Sequence, residues 1–135
     1  MRILLKLFFI FLFFIFHQIY ATQIEVLKVY DGDTILAKIE NNIFRIRLVD
    51  IDCFEGTLGD RANYQARKFK LTPDEIVKGG NIAGDILKEE LKNKTVAFEF
   101  YGIDKYHRAL GILFANNENI NQKMLSTPYC YPYKK

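Results

Sequence analysis

Short runs of apolar and β-branched residues, separated by turn residues, follow one another from residue 24 onward. The first runs predict three strands, over residues 24–30, 34–40 and 43–51. Asp31-Gly32 and Asn41-Asn42 lie between these runs, and such residues favour tight turns because they tolerate positive φ at low cost. The pattern therefore predicts an antiparallel three-stranded meander.

A helical segment follows a long polar stretch over residues 55–70. Thr72 is a suitable N-cap, Pro73 suits the first helical position and Glu75 is placed to reach back to the cap, which predicts a short helix from Pro73 to about Lys78. Gly79-Gly80 predicts an interruption, after which Asn81 caps a second helical stretch that ends at about Leu91. The remaining pattern predicts strands over residues 95–101 and 108–115 and a short helix over 120–125.

This order of elements predicts a mainly β domain with helices (α+β), over residues 22–135. Five short strands with a helix between the third and fourth suit a five-stranded Greek-key barrel of the OB type, which leaves no exposed sheet edge. An open α+β sheet fits the same pattern almost as well. The last residues, 127–135, contain two prolines and show no periodicity.

The first 21 residues are predicted to be an export signal rather than part of the domain. Arg2 and Lys6 precede an uninterrupted apolar run over residues 7–16, and a small residue, Ala21, follows. We expect cleavage after Ala21 and a secreted or periplasmic domain. Because the uncharged stretch extends to Ile24, an uncleaved membrane anchor is the alternative.

Composition and net charge exclude several classes of protein. A chain of 135 residues with 50% hydrophobic and 26% charged residues is too short for two ordinary domains and too well mixed for a disordered protein. Loss of Arg2 and Lys6 with the signal lowers the formal net charge from +3 to +1, so net charge alone gives no argument for nucleic-acid binding. The two cysteines, Cys53 and Cys130, suffice for one disulfide, and the sequence does not decide whether it forms. The sequence has no Cys/His spacing typical of a zinc site.

Two acidic segments are candidates for metal chemistry. Asp31, Asp33 and Thr34 crowd a tight turn with oxygen ligands, although an Asp-Gly pair between strands is more often only a hairpin turn. At the end of the third strand, Asp52 and Glu55 follow Arg47, and acidic residues are disfavoured within strands. The alternative for the second segment is an ordinary surface ion pair of Arg47.

A third segment, residues 104–108, connects the fourth and fifth strands and contains Asp104 and Arg108. By itself it is typical of a solvated charged turn. Taken together, two arginines and a set of carboxylates are the groups needed to hold a phosphodiester, because the cationic groups neutralise the phosphate while a carboxylate acts on the attacking water.

The three motifs, in this order and with a helix between them, resemble those of the staphylococcal nuclease-like, or thermonuclease, family. The resemblance covers about residues 24–125. It implies an OB-type barrel and a Ca²⁺-dependent endonuclease that cleaves DNA and RNA with little sequence preference. It implies no stable protein partner, and we expect a monomer.

The resemblance also implies roles for individual residues. Asp33 and Asp52 become the metal carboxylates, the backbone carbonyl of Cys53 a further ligand, and Asp31 part of the outer metal shell. The implied catalytic residues are Arg47 and Arg108, which clamp the phosphate, and Glu55, the candidate general base. Because an ordinary glutamate is a weak base, orientation of the water is the alternative role of Glu55.

The sequence departs from the family pattern near Glu55. The family usually has proline directly before this glutamate, whereas Phe54 stands here, so the loop lacks a fixed φ and we expect reduced activity. Residues 56–80 are longer than in the staphylococcal prototype. Their basic residues suit either a lid over the substrate or, as the default, a solvated helix face; they are Arg61, Arg67, Lys68 and Lys70.

Two tyrosines near the predicted site each have two interpretations, and two other functions compete with that of a nuclease. Tyr101 and Tyr106 suit base stacking or packing, and packing is favoured more for Tyr101. The alternative to a nuclease is a non-catalytic barrel that binds nucleic acid, a frequent use of this fold. An exported structural protein leaves the joint presence of the acidic residues and arginines unexplained.

Overall fold

The computed structural model describes residues 21–134. The elements in this part of the chain are β1 (Ala21–Asp31), β2 (Thr34–Ile39), β3 (Asn42–Leu48), β4 (Ile51–Cys53), α1 (Asp60–Phe69), α2 (Pro73–Leu91), β5 (Val96–Ile103), β6 (Ala109–Ala115), β7 (Glu118–Asn119), α3 (Ile120–Leu125) and β8 (Cys130–Pro132). Apart from Ala21, the predicted export signal lies outside the described residues. In the described part of the chain, each helix is too short or too polar to span a bilayer.

Five strands close into a barrel, as predicted. β1 pairs with β2, and β2 with β3, in the expected antiparallel meander, while β5 pairs with both β1 and β6. A parallel pairing of β3 with β6, from Ile46 opposite Ala109 to Leu48 opposite Gly111, closes the sheet on itself. This closure confirms the OB-type α+β fold and rules out the open sheet.

The barrel core consists of the inward-facing residues of its strands, closed at one end by α2. Ile35, Ile46 and Leu113 are fully buried, and the side chains of Ala83 and Leu87 on α2 belong to the same cluster. Alternation along the strands thus separates this core from the solvent-facing positions. A smaller cluster under α1 contains residues Phe54, Ala62, Ala66 and Ile76.

The predicted interruption at Gly79-Gly80 is wrong, because α2 is continuous from Pro73 to Leu91. Its start is as predicted, with a complete capping box between Thr72 and Glu75. The glycines serve packing rather than termination: a Cβ on Gly80 would lie 2.3 Å from the carbonyl oxygen of Glu55. At Gly80, helix α2 therefore packs directly against the backbone of the loop that carries Glu55.

Turns also differ from the prediction. The β2–β3 turn lies at Glu40-Asn41 instead of Asn41-Asn42, since Ile39 pairs with Asn42 and Glu40 has a φ of 53°. The third strand ends at Leu48 instead of Ile51, because Asp50 turns the chain with a φ of 62°. The polar stretch after residue 55 contains the helix α1.

The C-terminal tail forms a strand that the sequence pattern does not reveal. β8 pairs antiparallel with β4, placing Tyr131 opposite Asp52 and Cys130 opposite Cys53. A disulfide joins the two cysteines, which resolves the pairing that the sequence left open. Because β4 carries Asp52 and Cys53, the tail is fixed directly against the predicted metal residues.

Gly80→Ala should disrupt the contact between α2 and the Glu55 loop. We expect a loss of about 1–3 kcal/mol in the free energy of unfolding, because overpacking against backbone cannot be relieved by a rotamer change. Gly84→Ala is the matched control on the same helix, where the nearest atom to a Cβ is 3.4 Å away, and higher helix propensity should make it neutral or stabilising. Urea unfolding of both variants measures the difference in their free energies of unfolding. Equal values would contradict close packing of Gly80 against the Glu55 loop.

Candidate functional site

Asp33 is positioned by the β1–β2 turn and points into the protein. Its backbone N–H donates to Asp31 Oδ1 at 3.0 Å, which fixes the tight turn. Its own carboxylate, on a residue only 5% exposed, accepts from the Thr34 hydroxyl at 3.0 Å and from the Cys53 N–H at 2.7 Å. The first of the predicted metal residues is thus hydrogen-bonded to the backbone of another.

Arg47 lies between the two buried carboxylates. Its Nη2 is 3.4 Å from Asp33 Oδ2 and 3.3 Å from Asp52 Oδ1. Its Nη1 donates to the carbonyls of Leu48 and Ile51, at 2.6 Å and 2.9 Å. The same guanidinium therefore bridges the two carboxylates, offsets part of their negative charge and holds the turn between β3 and β4.

Burial and charge act in opposite directions on Asp33. The pKa of this carboxyl is raised to about 7 as the net result of desolvation, which raises it, the Arg47 cation, which lowers it, and neighbouring Asp31, which raises it. The Arg47 cation is thus the main group that favours the ionised form of Asp33.

Asp52, only 3% exposed, collects donors from three parts of the chain. Besides Arg47, its carboxylate accepts at Oδ2 from Arg61 Nη2 at 2.7 Å and from the Tyr131 hydroxyl at 2.6 Å. Burial and this hydrogen bond to Asp52 raise the pKa of Tyr131, so the phenol remains a donor. Helix α1 and strand β8 thus both contact the predicted metal carboxylate.

Glu55 is partly exposed at the edge of this cluster. Its Oε1 is 3.3 Å from Arg61 Nε, so Arg61 links Glu55 to Asp52. Burial raises the pKa of Glu55 and the contact with Arg61 lowers it. Arg61 lies on an exposed face of α1, with its side chain 53% exposed, and its guanidinium also contacts the site at Asp52 and Glu55.

Arg108 occupies a separate position. Its Nε donates to Asp104 Oδ2 at 2.8 Å, and the Asp104 Oδ1 accepts from the backbone N–H groups of Tyr106 and Arg108. Arg108 directly precedes Ala109, which pairs with Ile46 of β3, so it lies beside the strand that carries Arg47. Among the described ion pairs, Arg108 contacts Asp104 and not the Asp33–Asp52 cluster.

The two tyrosines proposed for stacking or packing are both largely exposed, at 57% for Tyr101 and 65% for Tyr106. The Tyr101 hydroxyl donates to Glu99, and the side chains of Lys105 and Arg108 lie over the Tyr106 ring. Of the two packing positions expected for Tyr101, the core or the rim of the barrel, its exposure excludes the core. Tyr106 instead lies with Arg108 on an accessible surface.

Two residues of the site were not identified from the sequence, Gln65 and Tyr131. Gln65 is buried on α1 and hydrogen-bonds to the backbone of Cys53 and Glu55. Its helix lies in a stretch that showed only polarity. Tyr131 follows Cys130, so a known Cys53–Cys130 pairing would have placed it near Asp52, and the antiparallel register of β4 and β8 brings the two opposite each other.

The oxygen atoms of the site fit a hard cation in type. Asp33 Oδ1 and Asp52 Oδ1 each accept one hydrogen bond within the described residues, so each retains an acceptor position, as does the Cys53 carbonyl that Gln65 contacts. Within residues 21–134, no three His, Cys, Asp or Glu side chains form a metal cage. The donor set is thus two carboxylates and a backbone carbonyl, which leaves further positions to water and substrate oxygens.

Comparison with known proteins gives matches to one family and to uncharacterized relatives. The model of the staphylococcal nuclease homologue family matches residues 45–134. An uncharacterized protein of Methanocaldococcus jannaschii is 33% identical over 122 residues, covering 81% of this chain and 58% of the relative. A protein named uncharacterized endonuclease from Escherichia coli O157:H7 is 29% identical over 112 residues, covering 82% of this chain and 61% of the relative.

The chain thus spans about three fifths of the length of the curated relatives it matches. The family match begins after the Asp31–Asp33 turn but includes Arg47, Asp52, Glu55 and Arg108. It also extends through β8, the strand that carries Tyr131 against Asp52. Because this match covers more than half of the sequence and the barrel has the expected topology, the chain belongs to the staphylococcal nuclease homologue family.

Proposed function

We propose that this chain is an endonuclease that hydrolyses phosphodiester bonds of DNA and RNA with little sequence preference. The observation that carries the proposal is the contact of Arg47 with two buried carboxylates, next to Glu55. Arginine offers a planar pair of donors that matches phosphate oxygens, and the carboxylates supply acid–base and cation-binding groups. The family and the name of the Escherichia coli relative, an uncharacterized endonuclease, support the nuclease part of this proposal.

Arg47 and Arg108 are assigned to the phosphate. The Nη1 of Arg47 is fixed by two backbone carbonyls, which holds the guanidinium in place, and a phosphate oxygen would replace Asp33 or Asp52 as the partner of Nη2. Arg108 is held by Asp104 and lies beside the exposed Tyr106 ring. A phosphate group would exchange with Asp104 as its partner, and a base would stack on the Tyr106 ring by displacing a cationic side chain that lies over it.

Glu55 is assigned to the attacking water. Burial raises its pKa above that of an ordinary glutamate, which makes it a stronger base, and Arg61 limits this effect. Its carboxylate is more exposed than those of Asp33 and Asp52, so water can reach it. These properties suit acceptance of a proton from water or its orientation toward phosphorus.

A calcium ion is proposed as the cofactor. Asp33, Asp52 and the carbonyl of Cys53 would hold it directly, and Asp31, which fixes the Asp33 backbone, would belong to the outer shell. When bound, such an ion neutralises charge on the phosphate and polarises its oxygens.

Export is proposed as the setting of this activity. Residues 1–21 have the features of a cleaved signal, and the Cys53–Cys130 disulfide suits an oxidising compartment outside the cytoplasm. The domain then acts as a secreted or periplasmic monomer, and a membrane attachment exists only if the signal is retained.

Cleavage of heat-denatured DNA by purified residues 22–135 tests the activity and its metal. We expect cleavage with calcium, loss of cleavage when chelator is in excess, and weaker or no cleavage with magnesium, which demands stricter octahedral geometry. A folded sample that binds DNA in a salt-sensitive manner without cutting it would contradict the proposal and favour the non-catalytic module.

Arg47→Lys tests the phosphate role while retaining the positive charge. We expect turnover to fall by about 100-fold or more, because a lysine cannot reproduce the planar donors directed at the phosphoryl oxygens. Arg45→Lys is the matched control on the same strand, since the Arg45 guanidinium lies over Tyr30 and forms no ion pair with a carboxylate among the described residues. Equal activity of the two folded variants in a steady-state assay would exclude Arg47 from catalysis.

A further inference from the structure

Gln65 on α1 is the only glutamine or asparagine of the described residues whose amide hydrogen-bonds on both sides of Phe54. Its Nε2 donates to the Cys53 carbonyl at 3.0 Å, and its Oε1 accepts from the Glu55 N–H at 2.9 Å. These two contacts define which end of the amide carries the oxygen, since the opposite orientation would face donor to donor and acceptor to acceptor.

The third contact of Gln65 connects it to the buried carboxylate. Its Nε2 also approaches the Tyr131 hydroxyl at 3.1 Å, and this hydroxyl donates to Asp52 at 2.6 Å. Gln65 is 0% exposed, so its amide has no water to replace a lost partner. A fully satisfied buried network of this kind rigidifies the groups it joins.

The loop before Glu55 depends on such contacts because it lacks the proline of the family pattern. The N–H of Phe54 donates to the Tyr129 carbonyl at 2.8 Å, a hydrogen bond that proline could not form. The Phe54 ring packs against Phe69 with ring centroids 5.2 Å apart. Hydrogen bonds and packing thus fix the loop, which lacks the fixed φ that a proline would give.

We propose that Gln65 is a positioning residue that holds the Glu55 backbone, and through it the Glu55 carboxylate, in place for catalysis. This inference rests on the proposed function of Glu55. The residues between Glu55 and α2 then support the catalytic loop, and they do not form a lid over the substrate.

Gln65→Met is the direct test, because methionine has a similar length and lacks all three hydrogen bonds. We expect kcat for cleavage of denatured DNA to fall by about 10- to 100-fold while KM changes little, as for a small displacement of a catalytic group. Leu113→Ala is the control for general destabilisation, since Leu113 is equally buried in the barrel core. It should lower the midpoint of thermal unfolding and leave kcat unchanged well below that midpoint.

Hydrogen exchange of the Glu55 amide provides a readout that does not depend on activity. In the wild-type protein this amide should exchange slowly although Glu55 is partly exposed, and Gln65→Met should accelerate its exchange more than Leu113→Ala does. Rapid exchange in the wild type would overturn the proposal even if Gln65→Met does not fold.

The outcomes also separate this inference from the proposed function. A folded Gln65→Met variant with the kcat of an active wild type would overturn the positioning role and leave the nuclease assignment intact. A folded wild-type protein that cleaves neither DNA nor RNA would overturn the proposed function and, with it, the role of Gln65.

Discussion

The ion pairs of Arg47 with Asp33 and Asp52 are the interaction on which the site depends. Two carboxylates buried this close together repel each other, and a buried charge without a partner is strongly destabilising, by about 3–5 kcal/mol when one member of a pair is removed. Arg47 pairs with both carboxylates, Arg61 adds a second cation at Asp52, and Arg47 also binds the carbonyls of Leu48 and Ile51. The barrel end, the β3–β4 turn and the candidate site are therefore one unit.

Strand β4 is the part of this unit that combines structure and function. The disulfide and β8 fix it from one side, and helix α1 from another, through Arg61 on Asp52 and Gln65 on the backbone. These supports surround the loop that continues to Glu55. A segment inserted between barrel strands and a short C-terminal strand thus supply what a proline supplies in the family pattern.

The sequence predicts the local features of this protein better than its long-range contacts. The strands, the capping box at Thr72 and the carboxylate and arginine candidates follow from periodicity and motifs. The helix break at Gly79-Gly80 fails because the need for glycine comes from the approach of Glu55, which is distant in sequence. Gln65 and Tyr131 escape prediction for the same reason, since their partners become neighbours only when β4, β8 and α1 assemble.

The most direct test of this metal site is a calcium titration of residues 22–135 monitored by backbone amide NMR shifts, with Asp52→Asn as the comparison. If Asp33, Asp52 and the Cys53 carbonyl bind the ion, saturable shifts concentrate at residues 31–33 and 52–55, and they weaken in Asp52→Asn. Calcium-induced shifts that are absent, lie elsewhere or persist unchanged in a folded Asp52→Asn variant would contradict the assignment of this cluster as the metal-assisted site of a nuclease.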